Sequence, residues 1–323
     1  MKHASKFPAF VLLLLFCFQA ADGRWKKQDS GTLAWLHSIY FLNENKGWIV
    51  GSKGAFLVTN DGGKSWTQAV KFTTDTIRDV YFAPTDARSG WILCERDLFS
   101  GSGGAGEASV SYLMKTSDGG ASWEKIEFGE AGTGGAAGIG RERVARMVFS
   151  KNGSGFAVGE FGAFYALGDD GRTWKKALVP SRYLLLDGVF IDETRGALVG
   201  GGQTILFTED AGLSWNKATV SAAAGAAAAA RLNAVFFINE KTGWAVGAGG
   251  KIYFTINGGK FWREQASGVV SRDLTDVHFL NTAEGWAIGD RGVILHTTTG
   301  GTIWNAAESG VRHRLEKILF VGR

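Results

Sequence analysis

Acidic residues recur at two fixed places in this 323-residue chain, and both places carry residue types that can do chemistry. One place is a turn of the form Thr-x-Asp-x-Gly-x-Ser-Trp. The other is the third position of a Leu-x-x-Val-x-Phe segment, where Asp79, Asp187 and Asp276 stand. Glycoside hydrolysis uses two carboxylates about 5 to 10 Å apart across a cleft, so these three acids make a hydrolase one hypothesis. The repeat alone explains their equivalent positions equally well.

Arginines gather just before or within the same Leu-x-x-Val-x-Phe segments. Guanidinium groups around a rim suit carboxylates because they donate forked hydrogen bonds. We therefore predict a surface that binds a protein or peptide partner, such as an acidic or C-terminal segment of a membrane protein. The alternative is that each arginine pairs with a neighbouring acid such as Glu142, Asp273 or Glu316. The predicted binding residues are Arg78, Arg143, Arg146, Arg182, Arg231, Arg272 and Arg314.

The remaining polar residues show no pattern typical of catalysis or metal binding. The histidines are scattered without the spacing of metal ligands. The Gly-rich stretch from Gly129 to Gly140 lacks the Gly-Lys-Ser/Thr of a phosphate loop, so it does not predict nucleotide binding. We predict no catalytic residue, no metal and no cofactor.

The turn occurs six times in phase and sets the architecture. Four short β-strands fit between successive turns, because the segments are rich in β-branched and aromatic residues and are short. A unit that cannot bury its own apolar face must stack on copies of itself. We therefore predict an all-β propeller of four-stranded blades. The repeats are 36–69, 77–126, 144–177, 185–218, 232–265 and 274–307.

The turn residues themselves are predicted to be structural. Asp side chains bind nearby backbone amides, Gly supplies a positive φ, and Trp anchors the blade by packing. Where Asn257 and Thr299 replace Asp, the Gly and Trp persist. The predicted structural set is Asp61, Gly63, Trp66, Asp118, Gly120, Trp123, Asp169, Gly171, Trp174, Asp210, Gly212, Trp215, Gly259, Trp262, Gly301 and Trp304.

A seventh copy of the first strand, Leu315 to Phe320, follows the sixth repeat. The segment 24–28 resembles a fourth strand. We predict an incomplete seventh blade formed by 315–323 together with 24–28, within a single propeller domain over 22–323. Six blades closing the ring is the alternative.

The first 21 residues predict export. Lys2 and Lys6 precede an apolar run from Phe10 to Phe18, and Ala20 and Ala21 suit cleavage. Without these residues the formal charge falls from +4 to +2, because two lysines are lost from 35 basic residues against 31 acidic ones. This near-neutral balance argues against nucleic acid as a partner. The expected location is the periplasm or the extracellular space.

Three long Gly- or Ala-rich segments interrupt the repeats. They are Asp97 to Ser111, Glu127 to Arg143 and Thr219 to Arg231. In an up-and-down blade all three emerge on the same face as the arginines. We interpret them either as covers over a binding surface or as neutral low-complexity drift.

The turn combined with Gly-Trp-x-Val-Gly, as in Gly47 to Gly51, resembles the Asp-box (BNR-type) β-propellers, and within them the photosystem II stability and assembly factor family. The resemblance covers nearly everything after the first 21 residues. It implies a seven-bladed, non-enzymatic chaperone that holds a membrane-protein precursor in the periplasm, or in the thylakoid lumen of a photosynthetic host. We therefore expect a monomeric scaffold, with peripheral membrane contact open. The alternatives are a sialidase-like or other glycoside hydrolase and a purely structural repeat protein.

Overall fold

The computed structural model describes residues 25–96, 110–126, 128, 142–221, 230–268 and 271–322. The predicted leader and most of the three predicted insertions lie outside these residues. Within them the fold is all-β, as predicted. The strands in chain order are β1 (Leu36–Phe41), β2 (Gly47–Gly51), β3 (Phe56–Thr59), β4 (Thr67–Gln68), β5 (Thr76–Ala83), β6 (Asp86–Glu95), β7 (Ser111–Thr116), β8 (Glu124–Ile126), β9 (Val144–Phe149), β10 (Gly155–Gly159), β11 (Phe164–Leu167), β12 (Trp174–Lys176), β13 (Leu185–Phe190), β14 (Gly196–Gly200), β15 (Ile205–Thr208), β16 (Asn216–Lys217), β17 (Thr219–Ser221), β18 (Leu232–Phe237), β19 (Gly243–Gly247), β20 (Ile252–Thr255), β21 (Phe261–Gln265), β22 (Leu274–Phe279), β23 (Gly285–Gly289), β24 (Ile294–Thr297) and β25 (Asn305–Ala307).

These strands form six antiparallel blades in which consecutive strands are neighbours. Blades 1 to 4 are β1–β4, β5–β8, β9–β12 and β13–β16, blade 5 is β18–β21, and blade 6 is β22–β25. The first strands of successive blades contact each other, so they line the axis of the ring. Blade 5 has an added outer strand, β17, which pairs in parallel with β21. That fifth strand was not predicted.

The glycines of Gly-Trp-x-Val-Gly stand where backbones come too close for a side chain. A Cβ on Gly51 would lie 2.2 Å from the carbonyl oxygen of Trp35, just before β1. A Cβ on Gly247 would lie 2.1 Å from the carbonyl oxygen of Arg231 in the same way. At Gly51 and Gly247 the end of the second strand therefore approaches the start of the first strand too closely for any side chain.

Aromatic stacking joins blade 1 to blade 2 and blade 5 to blade 6. Trp48 of β2 stacks on Phe82 of β5 with ring centroids 3.9 Å apart, and Trp244 of β19 stacks on Phe279 of β22 at 3.5 Å. Both tryptophans are fully buried. In both cases the motif tryptophan of one blade covers the phenylalanine that ends the Leu-x-x-Val-x-Phe segment of the next blade, and such ring pairs stabilise the joint beyond the area that they bury.

Leu315 to Phe320 occupies the seventh position, but it is not the β-strand that was predicted. Phe320 packs on Trp286 at 4.6 Å, which repeats the contact between blades, and on Trp25 at 6.3 Å. The Leu315 carbonyl accepts a hydrogen bond from the Thr275 hydroxyl at 2.5 Å. No described segment pairs with it as a second strand, so its backbone lacks the ladder that defines a strand.

Candidate functional site

Hydrogen bonds divide the turns between two faces of the ring. Turns from second to third strands bind the residue before a first strand, as when the Ser52 amide donates to the Trp35 carbonyl at 2.8 Å. Turns from third to fourth strands bind the hairpin between first and second strands, as when the Gly62 amide donates to the Asn45 carbonyl at 2.9 Å. We call the first the loop face and the second the Asp-box face.

The Asp-box turns are internally saturated. The Asp61 carboxylate accepts bonds from the Thr59 hydroxyl at 2.7 Å, the Ser65 amide at 3.0 Å and the Ser65 hydroxyl at 2.5 Å. The turns at Asp118 and Asp210 repeat this set. These bonds, led by the serine hydroxyl, lower the pKa of Asp210 to about 2. Such a carboxylate is already occupied by its own turn.

The third Asp-box differs from the sequence-based assignment. The carboxylate of Asp170, one residue after the predicted Asp169, accepts the amides of Arg172 and Thr173, both at 2.8 Å. The side chain that serves the turn is therefore set by the local backbone and not by alignment to the other copies. Asn257 and Thr299 substitute directly, since they accept the amides of Phe261 at 3.0 Å and Ile303 at 2.9 Å.

The closing tryptophans lie against the blade core. Trp66, Trp174, Trp262 and Trp304 meet the last residue of their own first strand edge to face, with centroids 5.7 to 6.0 Å apart. Trp215 instead packs on Phe156 and Phe164 of the preceding blade.

The three acids that suggested a hydrolase bind the backbone of the following first strand. Asp79 accepts the Met147 amide at 3.1 Å, Asp187 the Val235 amide at 3.0 Å, and Asp276 the Ile318 amide at 2.8 Å. All three are buried, each 6% exposed or less. Each carboxylate therefore fastens one blade to the next, which sequence reasoning left open. The sequence did carry a signal, because acids and cations both occur at the third position of the Leu-x-x-Val-x-Phe segments. Around the ring this position reads Ser, Asp, Arg, Asp, Ala, Asp and Lys.

Two cations, Arg146 and Lys317, pair with the three acids near the axis of the propeller. We call these five side chains the axial ring. Arg146 lies 3.4 Å from Asp79 and 3.1 Å from Asp187, and Lys317 lies 3.3 Å from Asp276. Burial by itself would lower the pKa of Arg146, but the carboxylates of Asp79 and Asp187 outweigh burial and raise it. Burial raises the pKa of Asp276, against the effect of Lys317. Arg146 thus belongs to the interior, and not to the surface rim where it was predicted.

The other predicted arginines lie at the loop face in two states. Arg78 and Arg143 share the carboxylate of Glu95, at 2.7 and 2.9 Å. Arg231 pairs with Asp273 at 2.9 Å. Arg314 bridges Asp290 at 2.8 Å and Glu316 at 3.0 Å.

Arg182 and Arg272 are exposed, and neither forms an ion pair with a described residue. Arg143 and Arg231 keep 49% and 44% of their side chains exposed despite their pairs. Of the arginines predicted from the sequence, two are therefore free of ion pairs with described residues and two are half-exposed despite their pairs. Such groups can bind carboxylates by forked hydrogen bonds.

A cleft of about 670 Å³ separates blade 1 from the seventh position. Its lining includes Trp35, His37, Arg314 and Glu316. The Trp35 indole donates to Glu316 at 2.8 Å across the cleft. Burial, with Arg78 adding, lowers the pKa of His37 to about 4, so this imidazole is neutral at physiological pH.

Two general searches cover the described part of the chain. No group of three or more His, Cys, Asp or Glu side chains there is placed to hold a metal ion. No helix there is long and apolar enough to cross a membrane.

Six four-stranded blades closed by Asp-box turns, with arginines on the opposite face, define an Asp-box β-propeller. The family model described as photosynthesis system II assembly factor YCF48 matches residues 18–177, 168–267 and 227–315. The chain belongs to this family.

Individual relatives agree with this assignment. Photosystem II assembly lipoprotein Ycf48 of Synechococcus sp. (strain CC9902) is 29% identical over 188 residues, which are 57% of this chain and 49% of that protein. The chain thus matches about half the length of this curated relative. A structure of YCF48 bound to D1 peptide superposes with a TM-score of 0.67 at 21% identity, covering 92% of this chain and 88% of the other.

The same fold also occurs in enzymes. The GH74 xyloglucanase of Xanthomonas campestris has a TM-score of 0.63 at 15% identity, covering 88% of this chain and 46% of the enzyme. At this identity the likeness concerns the fold alone.

Proposed function

We propose that this chain is an exported, non-enzymatic scaffold that binds a peptide segment of a partner protein on its loop face and assists assembly of a membrane-protein complex. The observation that carries the proposal is the exposure of Arg182 and Arg272, free of ion pairs within the described residues, beside the half-exposed Arg143 and Arg231. An acidic segment or a free C-terminal carboxylate matches these donors. Membership of the assembly factor family supports it, as does the D1 peptide bound to a related propeller.

The state of the buried acids supports a scaffold over a hydrolase. Asp79, Asp187 and Asp276 each accept a backbone amide from the next blade. A carboxylate that holds two blades together is not available as a general acid or nucleophile. The apolar run from Phe10 to Phe18 supports export to the periplasm, the extracellular space or, in a photosynthetic host, the thylakoid lumen.

Peptide binding is tested by fluorescence anisotropy with a labelled D1 peptide and with the same peptide amidated at its C-terminus. The Arg182→Glu, Arg272→Glu double variant is expected to weaken binding at least about tenfold, since each charge-assisted hydrogen bond contributes about 1.5 to 3 kcal/mol. The matched control reverses Lys64 and Arg88, two exposed cations of the Asp-box face. Equal affinity in the double variant and the wild type would overturn the proposed site, and amidation reports whether the terminal carboxylate is recognised.

A further inference from the structure

Large exposed apolar side chains recur on the loop face from the segment before blade 1 to the segment before blade 4. Their exposed fractions run from 57% for Trp35 to 105% for Leu33. Each lies in a turn from second to third strand or in a segment leading into a first strand. The cluster consists of Leu33, Trp35, Val70, Phe161, Leu178 and Tyr183.

Three of the loop-face turns hold their apex side chain outward at a conformational cost. Phe161 sits at φ 56° in the turn Glu160–Gly162 and is 76% exposed. Lys53 sits at φ 55° in the equivalent turn Ser52–Gly54, and Arg291 at φ 56° in Asp290–Gly292. The same apex is glycine in the turns Gly201–Gln203 and Ala248–Gly250. A left-handed backbone under a large side chain is disfavoured, so these three residues are displayed against a backbone preference.

The charges interleaved with this cluster are mainly positive. Lys53, in blade 1, and Lys71, in the segment that leads into blade 2, are exposed and form no ion pair with a described residue. Acids of the same face are mostly engaged, since Glu95, Asp273 and Asp290 pair with arginines. Asp29 and Glu308 are exposed acids on this side. A face that carries exposed apolar side chains together with unpaired cations fits a surface that is apolar below and anionic above.

We propose that the loop face of blades 1 to 4 docks on an anionic lipid bilayer. Leu33, Phe161 and Leu178 enter the interfacial layer, and Trp35 and Tyr183 lie at headgroup level, where amphipathic rings are favoured. Lys53 and Lys71 contact lipid phosphates. The formal charge of the whole chain is only +4, so it attracts the protein weakly to an anionic surface. Attraction to an anionic bilayer would therefore depend on the local arrangement of the lysines.

Hydrogen–deuterium exchange of the full chain with vesicles measures the docked face directly. Vesicles of phosphatidylcholine with about 30% phosphatidylglycerol, which carry a negative surface potential, are compared with vesicles of phosphatidylcholine alone. We expect added protection in 30–35, 52–55, 159–163 and 178–184 with anionic vesicles only. The Asp-box turns 60–65 and 209–214 serve as internal controls. Protection confined to the Asp-box turns, or none on the loop face, would refute the proposal.

Matched triple variants provide the second test, by vesicle co-sedimentation. Leu33→Ser, Phe161→Ser, Leu178→Ser is expected to lower the partition coefficient at least about tenfold, because binding scales with inserted apolar area. The control Leu213→Ser, Ile256→Ser, Ile303→Ser changes side chains that are 88%, 64% and 57% exposed on the Asp-box face. The apolar run Phe10 to Phe18 is common to both variants and cannot produce a difference between them.

Two further readouts distinguish bilayer docking from peptide binding and from self-association. Peptide anisotropy without vesicles should be unchanged by the loop-face triple variant, so loss of lipid docking and loss of peptide binding are distinguishable. Sedimentation velocity tests whether a second copy of the chain covers the patch. A dimer that dissociates in the loop-face variant, with equal vesicle binding in both variants, would replace the bilayer by a second copy.

Discussion

At the scale of single residues, the axial ring shows one residue type serving two purposes. The carboxylates of Asp79 and Asp187 each use one oxygen to bind a backbone amide of the next blade and the other to face Arg146. The side chain of Arg146 is 18% exposed, and its single positive charge lies against two buried carboxylates. Removal of one buried partner is costly because the remaining charges stay desolvated.

Arg146→Met should therefore destabilise the protein by about 3 kcal/mol, since it leaves two buried carboxylates without their cation. Urea unfolding followed by tryptophan fluorescence measures the change. Adding Asp79→Asn and Asp187→Asn to this variant should recover part of the loss, because neutral amides keep an oxygen for the backbone. Arg182→Met, at an exposed arginine free of described ion pairs, is the control and should change stability by less than about 0.5 kcal/mol.

At the scale of elements, the Asp-box turns connect third strands to fourth strands, and their hydrogen bonds depend on the protonation state of the aspartate. The carboxylate is most useful to the turn when it is ionised, because all its partners donate hydrogen bonds. The serine hydroxyl and amide lower the pKa of Asp210 to about 2 from its ordinary 3.8. A carboxyl group with a lowered pKa in the folded state stabilises the fold above its unfolded pKa, and this contribution disappears as the pH falls through the folded value.

Stability should accordingly decline between about pH 4 and pH 2 as Asp210 and its equivalents take up protons. Asp210→Asn should show a shallower decline than the wild type over this range, because one titrating group is gone. The reciprocal change, Asn257→Asp, should steepen it. Denaturant midpoints at half-unit pH steps measure both, and identical slopes in all three proteins would show that these turns do not control acid stability.

The elements were more predictable than the contacts between them. The limits of β1, β2 and β18 follow from Leu-x-x-Val-x-Phe and Gly-Trp-x-Val-Gly, because those patterns encode which side chains meet within one blade. The partner of Asp79 lies 68 residues away in the next blade. No local pattern specifies such a contact. Asp170 shows the same limit at short range, since two adjacent acids were available and only backbone geometry selects between them.

The candidate surface was predictable in position but not in state. The strand order expected from the sequence puts the arginines on one face of the propeller. In the structure all of the predicted arginines except Arg146 lie at the loop face. Which arginines remain free depends on the distances to Glu95, Asp273 and Glu316. The inward position of Arg146 depends on its side chain pointing to the axis, which neither composition nor spacing states.

At the scale of the whole molecule, the packing of the blades buries the thiol of Cys94. Cys94, in the second strand of blade 2, is fully buried. Burial raises the pKa of this thiol to about 12, against a hydrogen bond with Tyr112. The reactive thiolate is therefore scarce while the ring is closed.

Cys94 should report opening of the ring. In a Cys17→Ser variant, in which Cys94 is the only cysteine, modification by a disulfide reagent at pH 8 should be at least about a thousandfold slower in buffer than in denaturant, because only opened molecules react. Absorbance of the released thiolate gives the rate at rising urea concentrations. Rapid modification in buffer would place the thiol in an open gap between blades.

The contacts that join the blades have a direction. An aromatic ring or a carboxylate of one blade contacts the first strand of the next blade. The two surfaces that meet at each joint are therefore different. In this respect the blades resemble subunits of a head-to-tail polymer. Each joint sets the rotation between two neighbouring blades, and it does not by itself set the number of blades. Duplication of one repeat would copy both halves of the joint, and the family could gain or lose blades without inventing a new contact.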